Sequence, residues 1–196
     1  MALLPREIFR HGIEAMGLNL WLARLWGFAE ATLFFIVPDV LLTWIAVRHG
    51  TAHAVKASFA AAVGAMLGGV AMYMWGVHDP ALARAVVAAV PAIPASMISG
   101  VSSEVQNGAA MAIIAGGFTG VPYKIYAVES GAAGIGMVWF MLATLVARLA
   151  RFLGSIFLAA GLTRLMAQRF APETINRTLI IGWIGFYAGY FALMAG

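Results

Sequence analysis

Two long apolar stretches of this sequence are each interrupted near the centre by a proline beside a charge. The first, residues 27–44, reads GFAEATLFFIVPDVLLTW, with Glu30 inside the run and Pro38-Asp39 at the interruption. The second, residues 116–131, reads GGFTGVPYKIYAVESG, with Pro122 and then Lys124 at its centre and Glu129 near its end. Proline breaks the helical hydrogen-bond ladder, and a charge in an apolar run has to be paired or turned toward a cavity. One interruption is anionic and the other cationic. These pieces fit together if the two broken segments meet inside the protein, where irregular backbone at membrane depth is tolerated.

The chain is 63% apolar and only 10% charged, with a mean hydropathy of +0.92, whereas soluble domains carry about 25% charge. Such a chain reads as an all-α integral membrane protein. At about 20 residues per crossing, its 196 residues make a single membrane domain with no room for a soluble one. The net charge of +4 then reports topology, not a nucleic-acid surface. Absence of cysteine excludes disulfides and thiolate metal sites. No Ser/His/Asp, P-loop or dinucleotide pattern is present, so neither an enzyme nor a cofactor is expected. His49 and His53 have metal-ligand spacing without a third ligand, which reads as solvated loop histidines.

Residues 1–24 read as an interfacial amphipathic helix. Arg6, Glu7, Arg10, His11 and Glu14 share one arc, opposite Leu4, Ile8, Phe9, Ile13, Met16 and Leu20. Residues 25–47 suit either one tilted crossing or a re-entrant hairpin turning at Pro38-Asp39. Arg48 to Lys56 reads as a polar connection, and Ala57 to Val77 as a span with Gly64, Gly68 and Gly69 on a packing face. A short helix is expected over 81–90, stopped by Pro91 and Pro94, then a polar loop over 99–108. After the broken segment 108–135 come a span over 137–162, a basic loop with Arg164, Arg169 and Arg177, and a last transmembrane helix over 179–195. Gly182, Gly185 and Gly189 read as a packing face of that last span.

With both broken segments re-entrant, one side receives Arg6, Arg10, Arg24, Arg48, Lys56, Arg164, Arg169 and Arg177, and the other only Arg84. Full crossings would give seven against two. Both counts place the N-terminus in the cytoplasm and the C-terminus on the far side. The remaining cations, Lys124, Arg148 and Arg151, lie within apolar segments, and each costs about 2.5–3.5 kcal/mol at the bilayer centre on insertion scales. Arg148 and Arg151 are three apart and so share a helix face. A structural role weighs against a functional one throughout. The arginines could lock the fold through Glu30, Asp39 or Glu129, Asp39 could cap the second arm, and Pro38 and Pro122 read first as turn formers.

An acid ahead of Pro38-Asp39, the span GAMLGGVAMY, the motif FTGVPYKIYAVESGAAG and a span ending RLARF together resemble the DedA family, whose members share the VTT, or SNARE-associated, domain. The similarity covers roughly residues 20–160 and is most specific over Phe118–Gly134 with Arg148–Phe152. The resemblance implies two inverted repeats, each a re-entrant hairpin plus a transmembrane helix, here 25–77 and 108–162, in a bacterial inner membrane. It implies lipid transport between leaflets, since members are linked to undecaprenyl phosphate recycling, phosphatidylethanolamine translocation or scramblase activity. Glu30 would be the acid of the first hairpin, Asp39 the acid after its proline, and Lys124 would stand where many members have arginine. The single proline of the first hairpin, where many members have Pro-x-Pro, and Lys124 in place of a bidentate fork mark a divergent branch.

A lipid phosphate crossing hydrocarbon needs cations in place of its water, which Lys124, Arg148 and Arg151 could supply. Glu30 or Asp39 could couple that movement to a proton. The leading reading is a flippase or scramblase of a phospholipid or polyprenyl-phosphate carrier. A proton-coupled exporter of small ions or drugs uses the same charges, and a non-transporting scaffold would use the glycine faces for homo-oligomerisation.

Overall fold

A computed structural model describes the backbone of residues 5–194 and the side chains of residues 16–192. Among these residues the fold is entirely helical: α1 (Pro5–Thr32), α2 (Asp39–His49), α3 (Thr51–His78), α4 (Pro80–Ala88), α5 (Ala95–Thr119), α6 (Tyr123–Ala132), α7 (Met137–Met166) and α8 (Pro172–Met194). The order of a long helix, a break ending in Val-Pro, a short helix and a second long helix occurs twice, as α1–α2–α3 and α5–α6–α7.

Packing repeats with the order. In each unit the first long helix lies against the second, and the short helix of each unit packs on the second long helix of the other, α2 on α7 and α6 on α3. Glycine permits the closest approaches. A Cβ at Gly64 or Gly68 would collide with the α1 backbone at Arg24 or Phe28, and one at Gly76 with that of α6 at Val128. Tyr73 and Tyr123 both stack with Phe140, with centroids 5.0 and 6.2 Å away, and Tyr73 donates a hydrogen bond to the carbonyl of Ile135.

Three expected boundaries are corrected. No break separates residues 24 and 25: α1 runs on to Thr32, since Gly17 and Gly27 only weaken a helix. The charged arc Arg6–Glu14 lies outside the described side chains. The polar connection 48–56 shrinks to Gly50, where a φ of 87° suits glycine. The polar loop over 99–108 is helical, and α5 kinks only at Gly108 (φ 163°, ψ 76°). Its apolar side explains why, because Ile98, Val101 and Val105 are buried at helical spacing while Glu104, Gln106 and Asn107 are exposed. The short helix stopped by prolines is α4, where Asp79 accepts from the backbone N–H of Leu82 at 3.0 Å and Pro80 opens the first turn.

Among the described residues two helices, α3 and α7, are long and apolar enough to cross a membrane; α8 is not among them. The surface is apolar around large side chains such as Phe59, Leu67, Trp139, Val146, Leu158 and Ile181, all more than 45% exposed. Glu30, Asp39, Lys124, Glu129 and Arg148 are buried at 4% exposure or less. Charge inside with hydrocarbon outside inverts the usual soluble arrangement and fits a membrane location.

Candidate functional site

The first break, residues 33–38, leaves backbone groups outside the hydrogen-bond ladders of α1 and α2, and side chains from α1, α6 and α8 take them up. Trp26 Nε1 donates to the Ile36 carbonyl at 2.8 Å, and the Val37 N–H donates to Tyr187 Oη of α8 at 2.8 Å. Lys124 Nζ, from just after the second break, donates to the Phe34 carbonyl at 2.9 Å. The cationic interruption therefore holds the anionic one.

The ion pairs complete the meeting. Arg148 reaches from mid-α7 to Glu30, with Nη2 3.0 Å from Oε2 and 3.3 Å from Oε1. Its guanidinium also lies 4.2 Å from the centroid of the Tyr123 ring, in cation–π contact. The Tyr123 hydroxyl is in turn hydrogen-bonded to Thr144 at 2.9 Å. One turn further along α7, Arg151 Nε lies 3.3 Å from Asp39 Oδ2. Asp39 opens α2 without capping it, its negative charge favourable at that helix N-terminus. Glu30 Oε2, Asp39 Oδ2 and Arg148 Nε are buried without a hydrogen-bond partner, so Arg148 donates to Glu30 through Oε1 alone, and the Arg151–Asp39 pair is close but off the hydrogen-bond line. Single unsatisfied buried atoms of this kind mark strain or a place for water or ligand.

The charges form a layer. On α7, Phe140, Ala143 and Ala147 belong to an apolar cluster with α4, α5 and α6, whereas Phe152 and Ile156 belong to another with α1 and α2. Arg148 and Arg151 fall between the two clusters. A cavity of about 50 Å³ lies between the breaks, lined by Glu30, Val37, Pro122, Lys124, Arg151 and Tyr187, room for about three or four waters. A larger groove of about 470 Å³ runs between α2, α7 and α8. Leu158, Leu162, Leu179 and Phe186 give it apolar walls, and Asp39 and Arg151 close its inner end.

Of the residues singled out from sequence, the structure brings Glu30, Asp39, Lys124, Arg148 and Arg151 together. Pro38 is buried at the start of α2, and Pro122, half-buried, lines the small cavity. Glu129 is elsewhere. It accepts two hydrogen bonds of 2.7 Å from Arg84 Nε and Nη2, which raise the Arg84 pKa above its usual value against the effect of partial burial. Arg84, counted from sequence as a loop cation, is its partner. Tyr187, Trp26 and Tyr123 support the site without a sequence signal, as aromatic residues in apolar segments read as core. Gly182, Gly185 and Gly189 of α8 are a correction. A Cβ at any of them would meet nothing within 4 Å, because α8 leans on α2 and the first break and leaves its glycines open.

Among curated proteins, the chain is 31% identical over 163 residues to an uncharacterised protein of Haemophilus influenzae, a match covering 83% of this chain and 81% of that protein. The two proteins belong to one family. No family model matches the chain, and no solved structure does.

Proposed function

We propose that this protein is a divergent DedA-type lipid translocator of a bacterial inner membrane, moving a phosphate-bearing lipid between leaflets. The observation that carries this reading is the buried layer where Glu30, Asp39, Lys124, Arg148 and Arg151 meet beside an apolar groove. A phosphate entering such a layer exchanges its water for guanidinium and ammonium donors, and the groove keeps its chains in an apolar surround. Since no family model matches, the DedA likeness rests on the sequence motifs alone, most specifically Phe118–Gly134 and Arg148–Phe152.

Paired units support an inverted repeat of re-entrant hairpins. The short helices α2 and α6 have 11 and 10 residues, which at 1.5 Å per residue reach about 15 Å, half the hydrocarbon thickness. The mutual packing of α2 on α7 and α6 on α3 is what a two-fold axis in the membrane plane would produce. The Lys/Arg distribution favours a cytoplasmic N-terminus. Glu30, with one oxygen unsatisfied beside the cavity, is the candidate proton carrier.

A second reading has its own observation. Lys124 caps the Phe34 carbonyl and each acid of the layer has an arginine, which is what a fold lock requires. Purified protein in vesicles carrying fluorescent phospholipid separates the two. A translocator moves inner-leaflet label to the outside at a rate set by protein density, and a lock leaves it in place. Movement of a small cation or drug without lipid would instead select the exporter.

A further inference from the structure

The groove between α7 and α8 has a polar end and an apolar length, and its proportions match one molecule. On α7 its wall runs from Arg151 through Ser155, Leu158 and Leu162 to Met166, about 22 Å at 1.5 Å per residue. One leaflet of hydrocarbon is about 15 Å deep, so a complete acyl chain fits along it. Trp183 forms part of the inner wall and is fixed there by its Nε1–H, which donates to Thr43 Oγ1 at 3.0 Å. At the inner end Arg151 pairs with Asp39 through Nε. Among the described residues, no hydrogen bond occupies its terminal nitrogens. Arg151 also lines the small cavity between the breaks. With Phe186 it forms the shared wall of the two spaces, and it alone of the two carries a guanidinium fork whose geometry suits a phosphate.

We propose that this groove is a lateral binding site for one acyl chain of a membrane phospholipid, whose phosphate lies on Arg151 at the entrance to the small cavity. The inference rests on the lipid-handling reading above and adds the entry site, the phosphate contact and the direction of the chain. Charge selects the occupant. Asp39 and Arg151 neutralise one another, so a lipid phosphate arriving at the fork competes with Asp39 for Arg151, while a neutral lipid has nothing to offer it. The chain must point from Arg151 toward Met166 and Ile175, because the groove extends only that way. Gly182 supplies a means of closing the site without disturbing the fold. It lines the groove, and a side chain added there meets open space.

The test is photo-crosslinking of the full-length protein in nanodiscs, with phosphatidylglycerol bearing a diazirine either near the carboxyl end or at the tip of one chain. The same chains on diacylglycerol form the neutral arm. Leu158 and Leu162 should be labelled severalfold more than Phe157 and Leu165, which are exposed at similar depth on α7 but lie outside the groove. The carboxyl-end probe should label Ser155, and the tip probe should label Thr163 and Met166. Gly182→Trp should remove the excess and Gly185→Trp should keep it. Arg151→Gln should abolish the preference for phosphatidylglycerol over diacylglycerol, with Arg151→Lys retaining part of it. Equal labelling of Leu158 and Phe157, no gradient along the chain, or the same excess with diacylglycerol would each overturn the proposal. Groove labelling without lipid translocation in vesicles would refute the proposed function and leave this site standing. Translocation without groove labelling would do the reverse.

Discussion

Removing Arg148 isolates Glu30 in an environment where water cannot replace the lost partner. The two side chains are 3% and 5% exposed and 3.0 Å apart, and breaking such a pair from one side costs about 3–5 kcal/mol. Arg148→Gln also gives up the cation–π contact with Tyr123, worth about 0.5–2 kcal/mol, and should be the more damaging partner. Glu30→Gln leaves Arg148 over the Tyr123 ring and should fall at the lower end of that range. Gln at both positions leaves no stranded charge. The double variant should therefore lose at least about 2 kcal/mol less than the sum of the singles, well beyond the roughly 0.5 kcal/mol scatter of independent sites. Unfolding of all four proteins in mixed micelles, followed by near-ultraviolet circular dichroism, gives the cycle. Additive losses would show that the pair is not coupled and would remove the central contact of the charged layer.

Other consequences follow from particular contacts. Lys124→Ala strands the Phe34 carbonyl and should cost about 1–3 kcal/mol, whereas Lys124→Arg should keep both fold and partial transport; equal behaviour of the two in the vesicle assay would place Lys124 outside the site. Glu129→Gln keeps a hydrogen-bonding side chain opposite Arg84, itself 43% exposed, so transport should stay at wild-type rate, and a loss there would return Glu129 to the site. Gly64→Leu should prevent assembly of α1 on α3, read as loss of folded protein in detergent, while Gly189→Leu should be tolerated. Single cysteines at Thr51 and Gln168 should label from the cytoplasm and one at Ser102 from the opposite face; labelling of Thr51 only from the far side would contradict the first re-entrant hairpin.

Helix breaks were legible because proline leaves an unambiguous mark on a helical ladder, and Pro38 and Pro122 stand where α2 and α6 begin. Buried charge was legible for the same kind of reason, as an ionised group in an apolar run has few places to go. Pairing was less so. The sequence offers Glu30, Asp39 and Glu129 to the same cations, and only the path of α4 shows that Arg84 takes Glu129. Glycine spacing carried the least information. Gly64 and Gly68 meet α1 and Gly182 meets nothing, yet the two faces read alike, because small residues permit close approach without supplying the helix that approaches. Composition misled over residues 99–108, where polar side chains on one face of α5 hid Ile98, Val101 and Val105 on the other.

The lipid translocation rate of the double variant Glu30→Gln/Lys124→Met, folded and reconstituted beside wild type in phospholipid vesicles, tests most directly whether the charged layer is a transport site. Neutralising one charge from each break removes the layer's meeting point; because Arg148 loses Glu30 and the Phe34 carbonyl loses Lys124, only the folded fraction of the variant is reconstituted. The account predicts that outward movement of inner-leaflet label drops to the protein-free rate while the circular dichroism spectrum stays that of wild type. Wild-type translocation by the folded double variant would contradict it and leave the charges as a lock on the fold.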